Sequence, residues 1–543
     1  MRKTKNFTYF ILSLICFTAI SQIWGCASIQ HPTGGPRDSV APIILNESPK
    51  NFTTNFKGDK INIEFDEFFK LTNEFKEISV SPAMEKNPIF KTKKKTLNIS
   101  FQEPLQDSTT YTINFGKAIA DYNEGIALKN YMYVLSTGSK IDSLSISGTV
   151  LNTLTKEPVL DATVFLLPLN QDTLFGKKRA SLFTSTDSSG NYSLKYLKAG
   201  TYNIYALKEE GGDKIYNSTN ELIGFLNQPI VLSKDTADIG LEIFKELPKN
   251  FRVTDRKIEK DGRITFVFNR QLSNPELKIV TPAELDNNKI TEFSAMKDSA
   301  YLWTQSMDFD SISIAIHDDK ISLDTVLIRR SKRDTYNKAL TITDNVSSSR
   351  LKPGSDVALI LSAPVKSIDG KKFALLQDSI PVAGLRVSRD SASTRKIYLK
   401  YPWKDERKYI VNIGEGGFTG TFGGTIKDYT AQFTKDVPEN YGEMSLVVTV
   451  PDTSKSYLIQ VLSEQDKIIT QSSVSRSRTL SYPLLSIGRY YIRAIYDENR
   501  NGKWDTGNVK EKIQPEEVWN YDKEISLRAN FEIEEPIVIP KLK

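Results

Sequence analysis

The 543-residue chain has almost no cysteine or histidine: Cys16, Cys26, His31 and His317 are its whole supply. That excludes a Cys/His zinc site, a thiol protease and a disulfide framework. A charge excess is also missing. There are 72 Lys and Arg against 66 Asp and Glu, a formal +6, and loss of the first 25 residues with Arg2, Lys3 and Lys5 lowers it to +3. Nucleic acid is held by a basic patch or stripe, so no such partner is expected. No Walker loop, HExxH, GxSxG or glycine fingerprint after a strand is present. No long window carries the 3.6-residue apolar period of a helix. What remains is 39% hydrophobic and 25% charged, a globular composition, with length for about three to five domains.

The N-terminus reads as an address. Arg2, Lys3 and Lys5 precede Phe10–Ile20 (FILSLICFTAI), an apolar stretch too short to span a bilayer and placed as in a signal peptide. It ends at Ile23-Trp24-Gly25-Cys26, which resembles a bacterial lipobox. The resemblance implies cleavage before Cys26 and acylation of that residue, with several acyl chains giving stable anchoring. The alternative is a cleaved secretory signal with an incidental cysteine. Cys16 would be lost with the signal, leaving Cys26 without a partner to bridge, which favours lipidation. Residues 26–40 hold Pro32-Thr33-Gly34-Gly35-Pro36 and read as a tether. Residues 27–30 carry no acid, whereas acids there resemble a surface-export signal, so the periplasmic face of an outer membrane is favoured.

Past residue 40 the chain alternates in short runs, as in Lys60-Ile61-Asn62-Ile63-Glu64-Phe65 and Ser311-Ile312-Ser313-Ile314-Ala315-Ile316. A period of two with β-branched and aromatic residues predicts strands with one buried face, and their close spacing predicts β-sandwiches. The fold class is therefore all-β, as tandem sandwiches in a row. His317 falls on the polar face of its run and is expected to meet solvent.

The chain also repeats itself. Shifted by 298, residues 99–131 fall on 397–429 with nine identities in 33 ungapped positions, among them Tyr111/Tyr409, Asn114/Asn412 and Tyr131/Tyr429. Shifted by 288, Leu197, Gly200, Tyr202, Ile204, Ala206 and Glu210 fall on Leu485, Gly488, Tyr490, Ile492, Ala494 and Glu498. The expected order is signal 1–25, tether 26–40, A at 41–140, B at 141–249, a diverged A-like domain at 250–336, A′ at 337–436, B′ at 437–535 and a tail at 536–543.

Module A carries Phe65-Asp66-Glu67, Tyr111-Thr112-Ile113-Asn114-Phe115-Gly116 and Tyr133-Val134-Leu135-Ser136-Thr137-Gly138, and resembles the SbsA-type Ig-like domain of bacterial envelope proteins. Module B carries Ile146-Ser147-Gly148-Thr149-Val150, Thr186-Asp187-Ser188-Ser189-Gly190-Asn191-Tyr192 and Ala199-Gly200-Thr201-Tyr202. It resembles the carboxypeptidase-regulatory-like, transthyretin/CnaB-type sandwich. Together they resemble an Ig-like-domain lipoprotein of the Bacteroidota. The resemblance implies architecture more than activity, because such domains are carriers and spacers as often as binders.

One segment has the look of a site. In Asp497-Glu498-Asn499-Arg500-Asn501-Gly502-Lys503-Trp504-Asp505, oxygen ligands alternate as in a calcium loop: Asp497, Asn499, Asn501, the Lys503 carbonyl and Asp505. Asn508 stands where a bidentate Glu is expected, so affinity would be weak, on the order of 10⁻⁴ M. The other reading is a loop closed by its own Asx-turns. The equivalent in B offers Glu209, Gly211, Asp213 and Asn217, and Gly211 has no ligand atom. The adjacent acids Asp66 and Glu67 would point to opposite faces of a strand and so would not converge on one bond. Lys91, Lys93, Lys94 and Lys95 read as a solvated hairpin end, with contact to anionic lipid as the alternative.

The expectation is a non-catalytic, lipid-anchored outer-membrane protein that serves as accessory subunit or scaffold of an envelope complex. A glycan- or surface-binding adhesin, using Trp303, Trp403, Trp504 or Trp519 as platforms, is the alternative. No cofactor beyond structural calcium is expected.

Overall fold

The computed structural model describes residues 39–543 except 83, 130, 332 and 543. The signal segment, Cys26, most of the tether and Lys332 lie outside the described residues. The chain divides at Asp142/Ser143 into two compact units. Among the described residues, helix is confined to the single turn Glu74–Glu77 and four short 3₁₀ segments, and no helix is long and apolar enough to cross a membrane.

In the first unit, Ile44–Ser48, Lys60–Phe65, Thr96–Ser100 and Ile89–Lys93 form one sheet, in that order, and Ser79–Ser81, Thr110–Asn114 and Met132–Ser136 form another. Lys60–Phe65 alternates as its sequence does: Ile61, Ile63 and Phe65 are fully buried and the residues between them exposed. They pack with Leu97, Ile99, Tyr111, Ile113, Phe115 and Tyr133. Each such side chain contributes about 1.5–3 kcal/mol by leaving water.

The second unit holds four more sandwich segments, each with its own buried cluster. The strand order of the first sheet of A recurs twice: Val253–Ile258, Ile264–Phe268, Ser299–Trp303, Ile290–Phe293 in the middle domain, and Ile342–Asp344, Val357–Leu361, Lys396–Lys400, Arg386–Arg389 in A′. The middle domain thus has the A topology even where its sequence has lost the pattern. In B, Leu144–Asn152 lies parallel to Thr236–Lys245, and in B′ Gly442–Thr449 lies parallel to Glu532–Val538. Gly148 is required in the first of these pairs, since a Cβ there would sit 1.8 Å from the Ile239 carbonyl oxygen.

The aligned tyrosines of the repeats make the same bonds. The Tyr111 hydroxyl accepts from Gln106 N at 2.9 Å, and Tyr409 accepts from Lys404 N at 2.8 Å. Tyr202 donates to Lys198 O at 2.8 Å, and Tyr490 to Ser486 O at 2.6 Å. Tyr131 bonds the Glu47 carboxylate, and Tyr429 that of Asp344.

Two expectations need correction. The tail does not begin at 536: the last strand runs to Val538, and Ile537 and Ile539 are buried in the B′ core, 0% and 2% exposed. His317 is half-buried and its Nδ1 is enclosed, without a partner among the described residues. The pleat gives the face of a side chain correctly but not what packs over that face; Ala315 on the same face is buried as well.

Candidate functional site: the loop that joins B′ to B

The strand Gly488–Asp497 delivers Asp497 to the loop almost fully buried, 1% exposed. Its two carboxylate oxygens accept from Asn501 N and Gly502 N, both at 3.0 Å. Asn499 Oδ1 accepts from Asn501 N at 3.0 Å, and Asn501 Oδ1 from Lys503 N at 2.8 Å. The Asp505 carboxylate accepts from the side-chain amides of Asn501, at 2.8 Å, and Asn499. Gly502 takes the left-handed conformation the turn needs, φ 72°. Asp497, Asn499, Asn501 and Asp505 are therefore gathered on one turn, while Lys503 joins it through its N–H.

Glu516 completes the turn and was not legible in the sequence, because it lies beyond the 12-residue loop template. Its carboxylate accepts from Glu498 N at 2.9 Å and Asp505 N at 3.0 Å, and its carbonyl takes the Trp504 indole N–H at 3.0 Å. Burial raises the Glu516 carboxyl above its ordinary range, and the charges of Asp505 and Asp497 push the same way. The donor set is one of hard oxygens suited to calcium, but it is closed by hydrogen bonds within the loop. No group of three or more His, Cys, Asp or Glu is gathered for a metal ion among the described residues.

The rest of the loop lies on B. Thr506 donates to Lys245 O at 2.5 Å, Val509 N to Glu246 Oε1 at 2.6 Å, and Gln514 Nε2 to Phe225 O at 2.8 Å. Val509 is buried among Phe165, Tyr205, Phe225 and Phe244 of B. Lys512 Nζ bonds the Tyr205 hydroxyl at 2.7 Å and stands over the rings of Tyr205 and Phe225, 4.5 and 5.3 Å from their centroids. Desolvation lowers its pKa, and the nearby Asp172 offsets part of that. Beside the loop, Asn520 Nδ2 donates to Leu154 O at 2.8 Å, and Lys156 lies between Glu242 at 2.7 Å and Glu517 at 3.4 Å. A Cβ on Gly507 would come within 2.6 Å of the Phe244 ring.

The equivalent loop of B closes in a similar way. Glu209 accepts from Gly212 N at 2.6 Å and Lys214 N at 3.0 Å, and Asp213 from Asn217 Nδ2 at 2.8 Å. Tyr216 of this loop bonds Glu246, the carboxylate that also receives Val509 N, so the two copies meet at one side chain.

A second joint links the middle domain to A′. Arg395 pairs with Glu292 at 2.7 Å and stacks over Tyr301 and Trp303, 5.4 and 5.3 Å away. Among the described residues, the tryptophans do not form the exposed row that sugar binding would use. Trp303 is 4% exposed, and Trp403, Trp504 and Trp519 pack against core clusters. Each ring is drawn inward by its neighbours, such as Tyr409 and Phe433 around Trp403. Asp66 is committed to the backbone, accepting Ile43 N at 2.8 Å.

No curated protein matches the sequence. Among solved structures, the Bacillus anthracis TIE protein aligns at 11% identity over 94% of this chain and 75% of that one, with a TM-score of 0.14. BcpA, the major pilin subunit of Bacillus cereus, aligns at 10% over 73% and 99%, TM-score 0.14, and the S-layer protein rSbsC(31-844) at 10% over 85% and 66%, TM-score 0.15. Scores this low establish no shared activity. Residues 38–137 match the family Big_5, bacterial Ig-like domain.

Proposed function

We propose that the chain is a non-catalytic lipoprotein of the cell envelope, anchored in the outer membrane through Cys26 on its periplasmic face, where it serves as an accessory subunit or scaffold of a protein complex. The observation that carries this reading is the joint between B and B′. The loop of B′ that most resembles a ligand site has its second half sealed against another domain of the same chain, through Thr506, Val509, Lys512 and Gln514. Loops held in this way fix the placement of sandwich surfaces, which is the work of a scaffold. The Ig-like match over residues 38–137 agrees with it. Crosslinked recovery of the tagged chain from detergent-solubilised outer membrane, read by mass spectrometry, tests it through the presence of a stoichiometric membrane-protein partner.

Calcium is the second part of the proposal. The ion would be held by Asp497, Asn499, Asn501, Asp505 and the Lys503 carbonyl, with the carboxylate of Glu516 in place of the missing twelfth-position Glu. Its charge would offset the burial, and the lesser repulsion from Asp505 and Asp497, that raise Glu516. Such an ion would stiffen the joint.

A further inference from the structure

We propose that the tether end of domain A rests on the bilayer, through a face formed by Phe68, Tyr122, Lys70 and Lys95 and occupied by the headgroup layer of phospholipid. The inference rests on the lipid-anchor reading. Phe68 and Tyr122 are 56% and 60% exposed, and Tyr122 N donates to Phe68 O at 3.2 Å, so the two exposed rings sit at the ends of neighbouring strands.

Each ring carries a lysine. Lys95 Nζ lies 5.8 Å from the Phe68 centroid and donates to Asp66 O at 2.7 Å; Lys70 Nζ lies 5.9 Å from the Tyr122 centroid and donates to Tyr122 O at 2.8 Å. Aromatic rings beside lysines whose stems cover apolar surface are the composition of a membrane–water interface. Lys93 and Lys94, on the adjoining hairpin, extend the basic rim. Among the acids at this end, Asp66 accepts from Ile43 N and Asp121 from the N–H groups of Glu124 and Gly125; with Glu67 and Glu124 they balance the charge of the four lysines. The rings therefore supply the hold and the lysines its orientation.

Chain geometry puts the bilayer at this end. Ile43, itself 53% exposed, is bonded to Asp66 just past the C-terminal end of Lys60–Phe65. The chain leaves A from the other end of that strand, where Asn55 N donates to Gly138 O at 2.8 Å and Phe101 N to Asp59 O at 2.9 Å. About fourteen residues separate Cys26 from Val40, and fully extended they reach roughly 45 Å. The described chain thus enters A at the end that carries this face, and a tether anchored in lipid keeps the local lipid concentration there high.

The test uses the full acylated chain in vesicles of phosphatidylethanolamine and phosphatidylglycerol at 3:1. An environment-sensitive dye is placed at Asn123→Cys, next to Tyr122, and in a second sample at Asp107→Cys at the opposite end. Iodide is expected to quench the dye at position 123 at least about threefold less than the dye at 107. Phe68→Ser in the first background is expected to remove most of that protection. Equal quenching at both positions on an acylated, floating chain overturns the inference and leaves the anchor standing. Absence of the acyl mass on the wild-type chain overturns both, and the mass spectrum alone tells the two failures apart.

Discussion

Lys512 Nζ and the Tyr205 hydroxyl are 2.7 Å apart, though 307 residues separate them in the chain. A lysine from one copy of the repeat thus fills an aromatic recess in the other. Its stem is packed, its ammonium is half desolvated, and two rings face its charge.

Lys512→Ala removes the hydrogen bond and the cation–π contacts and leaves a void between the domains. The expected loss is about 1–2 kcal/mol of stability. Hydrogen exchange in residues 504–514 should rise while the B and B′ cores stay protected. Unchanged exchange there would show that the loop is held without this lysine.

Gly507→Val tests the joint by steric means. The new Cβ would meet the Phe244 ring at 2.6 Å and the Ile513 carbonyl at 2.5 Å. The loop is expected to leave B, with Trp504 fluorescence shifting to the red and each sandwich still melting cooperatively. A wild-type emission spectrum would contradict the described packing.

Tyr111→Phe and Tyr409→Phe should cost similar amounts, about 1 kcal/mol each, because each removes the acceptor of a backbone N–H at the same place in its domain. Urea unfolding of the two variants measures this, and a large inequality would break the equivalence of A and A′.

Alkaline pH should weaken the whole chain. Burial raises the phenols of Tyr131, Tyr205, Tyr216 and Tyr192 well above their ordinary value, and hydrogen bonds to Glu47, Asp172 and Glu246 push the first three the same way. Unfolded tyrosine loses its proton near pH 10 while these keep theirs, so above that pH the folded state binds more protons than the unfolded one. The stabilisation is complete below about pH 10 and is lost progressively above it. The urea midpoint should therefore fall between pH 9 and pH 11; an unchanged midpoint would mean that these phenols ionise freely in the folded chain.

Calcium at a hundredfold excess over its Kd is expected to add about 2.7 kcal/mol of stability, and Asp505→Asn or Glu516→Gln should abolish the gain. Identical melts in calcium and in chelator, with no metal in the purified protein, would leave the loop as a self-closed turn.

The sequence carries the sandwiches and the duplication plainly, because period-two burial and turn tyrosines are local. Ile61 and Ile63 announce their strand, and Tyr111 and Tyr409 announce the repeat. The joint was hidden for the opposite reason. Val509, Lys512 and Gln514 look like solvated loop residues until B is folded beside them. Glu516 escaped because the loop recruits a carboxylate from past its template, and His317 because alternation names a face without naming its cover. The middle domain lost its sequence pattern but kept its strand order, which is held by burial of residues such as Ile264, Phe266 and Leu302.

The central claim is that the chain is an anchored subunit of an envelope assembly. Its most direct test is crosslinked recovery of the natively expressed, tagged protein from solubilised outer membrane. The account predicts an acylated Cys26 and one outer-membrane protein recovered in fixed stoichiometry. Recovery of the chain alone, from the soluble fraction and without acyl mass, would contradict it.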